Sequence, residues 1–339
     1  MASRALAFSD PEVIALASTE FVPIAENCSL LQRQQDAAGD FFRLVAEQGH
    51  YAGRTVPSDT RQGQYACTPD GRLLASLNAR EAAPMLQMMR HALARWREEP
   101  EAPGTVALPP AVPAPDPRYT RTPPAGGLLL RAFARDLPRG PAEQVDSRGP
   151  DWRPRAVNGD HVWLTAEEAA SLIPAPAAPG AVRVVSEALA RRLARFHMID
   201  IVRGETPMWR REEVGLARLS ATVQSVAPDG TVALTLEGAF RCEAAGAWAV
   251  RPFGPKLEGQ RRGYEARLLG HAEWDPGARR FRRFEALAVG ERWGGSEHNL
   301  RWDDLDGAGM GILFERADGT APGDATPPQG FGWSDYWGA

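Results

Sequence analysis

Lysine is almost missing from this chain. Lys256 stands alone among 339 residues, and arginine supplies the rest of the positive charge. With Ala, Gly and Pro abundant, that bias fits a GC-rich genome better than arginine-specific recognition. A formal net charge of −4 gives no global pull toward nucleic acid or an anionic membrane. No apolar run nears the roughly 20 residues that cross a bilayer, and Met1 to Leu6 holds no apolar core of signal-peptide length. A cytoplasmic protein is expected. Cysteine is scarce too: Cys28, Cys67 and Cys242 are odd in number and far apart, which argues against a disulfide framework or a structural zinc site. No Cys-x-x-Cys, P-loop, Gly-x-Gly-x-x-Gly, nucleophile elbow or kinase motif occurs, so the cofactor, if any, is unknown.

What is present fits two soluble domains. Hydrophobic residues make up 43% and charged residues 24%, and the length suffices for two separate cores. Ser9-Asp10-Pro11-Glu12-Val13 opens a helix, because Ser9 or Asp10 caps free amides and Pro11 has no N–H to leave unsatisfied. Phe21–Ala25 reads as a strand. Gln64–Cys67, the turn Thr68-Pro69-Asp70-Gly71 and Arg72–Ser76 form a hairpin. Leu86, Met89, Leu93 and Trp96 then recur at helical spacing, giving an amphipathic helix over Glu81–Arg97 whose methionines face a core.

This order of helix, Phe-Val-Pro strand, Pro-Asp-Gly hairpin and closing helix resembles the thioredoxin-like superfamily over roughly the first hundred residues. The resemblance implies a thioredoxin-like α/β scaffold. The chain departs from the family in lacking the redox motif, and Thr60-Arg61-Gln62-Gly63 stands where the family usually places a cis-proline. Cys28, between the expected strand and the polar run Leu30–Asp36, would sit at a helix N-terminus. There the dipole lowers a thiol pKa; the alternative is an idle thiol.

Residues 99–124 are proline-rich and read as a semi-rigid linker. After it, β signals dominate. Gly127–Ala134 and Asp160–Leu164 read as strands, and Thr165-Ala166-Glu167-Glu168 is a capping box that starts a helix ended by Pro174. A second helix starts at Ser186. Hairpins follow over Leu219–Phe240 and Tyr264–Val289, with a last strand at Met310–Arg316. The fold class is therefore α+β: residues 1–98 form a thioredoxin-like α/β domain, and residues 125–339 an antiparallel sheet-rich domain, built as a sandwich or half-closed barrel.

Candidate chemistry concentrates in Arg195–Glu213. His197, Asp200 and Glu213 are candidate catalytic residues, with the Asp200 carboxylate one turn from His197 and able to orient its ring. Arg203, Trp209 and Cys28 are candidate ligand or cofactor contacts. His161 and His197 are candidate metal ligands, and His271 with Glu213 or Glu291 could complete such a site. The competing account makes His197 a helix cap and Asp200–Arg203 an ordinary ion pair. Tryptophans are dense in the second domain, and they can either pack a sheet or stack on a planar or sugar-like ligand.

Two functions follow. One is a non-redox binding or assembly module joined to a domain that recognises a protein partner or small molecule, with neither nucleic acid nor membrane as partner. The other is an enzyme with a His/carboxylate site, metal-dependent or not. Under either, the chain should not reduce insulin, because a lone thiol cannot resolve a mixed disulfide intramolecularly. A rate comparable to that of a Cys-x-x-Cys thioredoxin would overturn this expectation.

Overall fold

The computed structural model describes residues 7–26, 28–32, 37–52, 61–79, 81–99, 123–139, 156–252, 254–319, 324, 327–329 and 336–337. The chain divides into two compact units, Ser3–Thr120 and Arg121–Ala339. The expected linker falls almost wholly outside the described residues.

In the first unit, α1 (Pro11–Glu20) starts where the sequence places it. The Asp10 carboxylate accepts from the amides of Glu12 and Val13 at 2.9 and 3.2 Å, with Pro11 in the first turn. Two further helices follow, α2 (Cys28–Leu31) and α3 (Ala37–Glu47). The hairpin β1 (Gln64–Cys67) and β2 (Leu73–Leu77) closes through Gly71, whose φ of 90° suits a residue without Cβ. The last helix, α4 (Ala82–Glu98), buries Met85, Leu86 and Met89 against Val13 of α1, and Ala92 against Ala66 and Leu74 of the hairpin.

One expected element is absent. Residues 21–26 have no regular structure, and Val22 and Ile24 are 87% and 79% exposed. A strand needs a neighbour for its amides and carbonyls; the described sheet of this unit is only the β1–β2 pair, and Pro23 brings no N–H. Of the polar run Leu30–Asp36, α2 reaches only Leu31, and residues 33–36 lie outside the described set. Arg61, near the position of the family's cis-proline, is buried and pairs with Glu47 of α3 at 2.8 Å.

The second unit is built on one eight-stranded antiparallel sheet. Its strands are β3 (Leu128–Asp136), β4 (Val157–Leu164), β5 (Val182–Val184), β6 (Val214–Val226), β7 (Val232–Trp248), β8 (Leu257–Asp275), β9 (Arg280–Trp293) and β10 (Ala308–Arg316). Their order is β4-β3-β10-β9-β8-β7-β6-β5. Of the two forms expected, a sandwich or a half-closed barrel, the described residues lack the two separate sheets of a sandwich: all eight strands share one sheet, with β4 and β5 as its edges. The sheet curls, since α5 (Ala166–Ser171) touches both β4 and β9.

The local signals explain the register. The β6–β7 turn puts Gly230 at φ 84° and caps Thr231 N with Asp229 at 2.9 Å. The β8–β9 turn caps Ala278 N with Asp275 at 3.0 Å. Arg282 ties the two turns together, binding Asp229 at 3.1 Å and Asp275 at 2.8 Å. Alternating residues such as Phe240, Cys242, Tyr264, Ala266, Ala288, Met310 and Ile312 point to one face. On that face lies α6 (Glu187–His197), capped by Ser186 and burying Leu189, Ala190 and Ala194 in the same core. The capping box at α5 forms as its sequence predicts, with Thr165 Oγ1 and the Glu168 carboxylate each accepting the other residue's amide.

Among the described residues, no helix is long and apolar enough to cross a membrane.

Candidate functional site

The sequence-predicted cluster divides into separate structural tasks. α6 ends at His197, and Met198 follows at φ −91°, ψ 63°, so Asp200 is not one helical turn from His197. The Asp200 carboxylate instead grips Arg301, accepting from its Nε at 2.7 Å and its Nη2 at 2.8 Å. The same guanidinium binds both oxygens of Asp136 at 2.8 Å and reaches Asp304 at 3.3 Å. Arg203, expected beside Asp200, pairs with Asp136 at 3.2 Å and Asp304 at 2.8 Å. Arg292 donates to the Asp304 carboxylate and to the carbonyls of Asp304 and Asp306 at 2.6 and 3.1 Å.

Three arginines and three aspartates thus form one network, and Arg301 at its centre is 0% exposed. Burial alone would raise the Asp200 pKa; the charge and hydrogen bonds of Arg301 outweigh it and hold the carboxyl below the ordinary range. Asp304 is lowered in the same way, chiefly by Arg292 and Arg203 against its burial.

His197 lies beside a different carboxylate. Its Nδ1 lies 3.3 Å from Asp160 of β4, and its Nε2 lies 3.0 Å from the Tyr336 hydroxyl. Tyr336 also accepts from Trp163 N at 3.1 Å and lies 3.3 Å from Trp163 O. It therefore satisfies backbone groups on the free edge of β4. The neighbouring cavity, bounded by Ala132, Ala134, Phe196 and Ile312, is about 10 Å³, room for at most one water. His197 is buried, and among the described residues the cavity beside it has no room for a substrate.

The expected metal ligands are also separated. Successive residues of a strand face opposite sides, so Asp160 points to His197 while His161 pairs across the ladder with Arg131 on the other face. His161 therefore cannot share an ion with His197, and burial lowers its pKa. His271 opposes Thr235 and Glu285. Among the described residues, no group of three or more His, Cys, Asp or Glu side chains is arranged to hold a metal.

Trp209 and Glu213 come together, but around Arg262, which the sequence did not single out. The Arg262 guanidinium sits 4.2 Å from the Trp209 ring centre, and burial pushes its pKa down to about 10, partly opposed by the Glu213 charge. Trp209 Nε1 donates to Met198 O at 2.8 Å, and Glu213 accepts from Arg210 N at 2.7 Å. Glu213 is not among the residues that line the small cavity beside His197. Cys28 opens a four-residue helix, with its thiol 3.6 Å from Gln32 Oε1. Burial pushes the Cys242 thiol up to about 12, which leaves it protonated.

A ligand-sized opening lies on the opposite face of the sheet. Arg241 and Glu243 of β7, Arg261 and Glu265 of β8, and Glu291 and Trp293 of β9 line an open groove of about 490 Å³. Arg241 bridges Glu243 at 3.5 Å and Glu265 at 3.4 Å, and Arg261 pairs with Glu243. The Trp293 ring lies on Gly263, where a Cβ would come within 2.0 Å of the ring. The signal for this site was period-two alternation in three neighbouring strands, which becomes readable only when the hairpin registers align Arg241 with Glu265 and Glu265 with Glu291.

Two predictions test these assignments. Asp200→Asn should cost about 3–5 kcal/mol in urea unfolding, because it leaves the buried Arg301 fork under-neutralised. Because Asp200 and Asp304 titrate below the unfolded carboxylate value of about 4, their contribution is present above that pH and is lost as pH falls through the lower folded values. An acid midpoint unchanged by the substitution would contradict this. Tyr336→Phe should cost about 1–3 kcal/mol by leaving Trp163 and His197 short of a partner; unchanged thermal unfolding would remove Tyr336 from the edge of β4.

Comparison with protein-family models, curated proteins and solved structures gave no match for this chain.

Proposed function

We propose that this chain is a binding protein: a non-redox thioredoxin-like module joined to a β-rich domain that recognises its ligand or partner through the groove across β7, β8 and β9. The thioredoxin-like reading of the first unit is supported by the Asp10 cap, the Pro-Asp-Gly hairpin and the closing helix α4. The missing strand at residues 21–26 weighs against a complete copy of that fold.

One observation carries the binding assignment. The groove is large enough for a ligand, and among the described residues its Glu291 carboxylate has no hydrogen bond or ion pair while the Trp293 ring beside it is partly exposed. The His197 region, which would carry an enzymatic reading, is filled by Asp160 and Tyr336.

The test is to probe peptide and glycan arrays with the intact chain and with Trp293→Ala. Signals that fall at least tenfold in the variant, while its melting temperature holds, support the assignment. No signal above that of an unrelated protein, or signals indifferent to Trp293, would overturn it.

A further inference from the structure

Resting on that binding role of the groove, we propose that its occupant is a protein partner presenting an arginine or lysine side chain between Glu291 and Trp293, with apolar side chains beside it. The groove holds three carboxylates and two guanidiniums. Both guanidiniums are spent on Glu243 and Glu265. Glu291 stands directly across the ladder from Glu265, a like-charge pairing that costs stability. Among the described residues, no hydrogen bond or ion pair engages Glu291. A cation placed there would relieve the repulsion and meet the Trp293 ring, which attracts cations through its face.

The fold also leaves room for this carboxylate. A Cβ on Gly307 would come within 1.9 Å of Glu291 Oε1, so the glycine leaves the space in which that carboxylate lies. Gly263 does the same for the Trp293 ring. Both contacts arise from missing side chains, on strand β8 and on the loop before β10.

The face next to the groove says what carries the cation. Along the outer side, the row Arg241–Glu265–Glu291–Gly309 is followed by Ala239–Arg267–Val289–Gly311, and then by Glu237–Leu269–Leu287–Leu313–Phe133, apolar from β8 onward. Leu269, Leu287, Val289 and Leu313 are exposed, Leu269 at 56%. A free amine or a sugar would leave this row uncovered. A polypeptide with a basic residue flanked by apolar ones covers both.

The experiment is calorimetric titration of the full chain with a peptide of alternating leucine and arginine, with the same peptide carrying citrulline for arginine, and with cellohexaose. The arginine peptide should bind at least tenfold more tightly than its citrulline counterpart. Glu291→Gln should abolish that preference, Gly307→Ala should reduce it by displacing the carboxylate, and Leu287→Ser should weaken both peptides alike. Because Gly307→Ala meets only the end of a flexible side chain, it tests the site without demanding that the fold survive a core change. Equal binding of the two peptides, or a preference untouched by Glu291→Gln, overturns the cationic partner but leaves the groove assignment standing if Trp293→Ala still weakens binding. Cellohexaose bound through Trp293 with no peptide bound has the same effect. If no probe binds and the arrays show no Trp293-dependent signal, both fail.

Discussion

The double fork of Arg301 is the interaction on which the β-rich unit depends. Arg301 lies in the segment between β9 and β10, yet it joins the end of β3 through Asp136 to the segment after α6 through Asp200. Without that cation, the buried Asp200 carboxylate would face the half-buried one of Asp136. Without either carboxylate, a guanidinium would be buried with half its donors idle, and burying an unpaired charge costs more than the pair returns. The network therefore fixes positions; it need not add net stability. Close backbone contacts accompany it: a Cβ on Gly204 would meet His298 O at 2.2 Å, and Glu205 N donates to the same carbonyl at 2.9 Å.

The network inside and the groove outside share one strand. Arg292 points inward and binds the carbonyls of Asp304 and Asp306, while its neighbours Glu291 and Trp293 point outward into the groove. Gly307, which makes room for Glu291, follows directly on that anchored carbonyl. The outer site is thus preorganised by inner ion pairs, and groove residues need no partners of their own to hold the loop.

Local chemistry was legible in the sequence where the signal was local. The Asp10 and Ser186 caps, the Thr165–Glu168 box and three Pro/Asp/Gly turns each act within a few residues, and each lies where its residues place it. Signals that depended on continuation failed. Asp200 lies three positions after His197, which is one turn only if the helix persists, and α6 stops at His197. Phe21–Ala25 has strand-like residues without a neighbouring strand. Arg301, Asp136 and Asp304 are ordinary charged residues in sequence, and their pairing spans 165 positions. No local pattern could announce it.

The two faces of the sheet also differ in what they leave free. The inner face is committed to α6 and a continuous apolar core, and several of its polar groups have partners inside the fold: Asp160 accepts from Gln329 N and lies beside His197, and Tyr264 reaches the carbonyl of Met310. The edges are managed by other means. Tyr336 covers backbone groups of β4, and β5 is only three residues long, which limits the ladder open to a stray strand. That leaves the outer face of β7 to β10 as the broad surface on which apolar and charged side chains remain uncommitted together. Apolar groups exposed in register across several strands have a cost in water that the core cannot recover. Their placement beside an unpaired carboxylate and a seated indole is accounted for by a surface built to be covered.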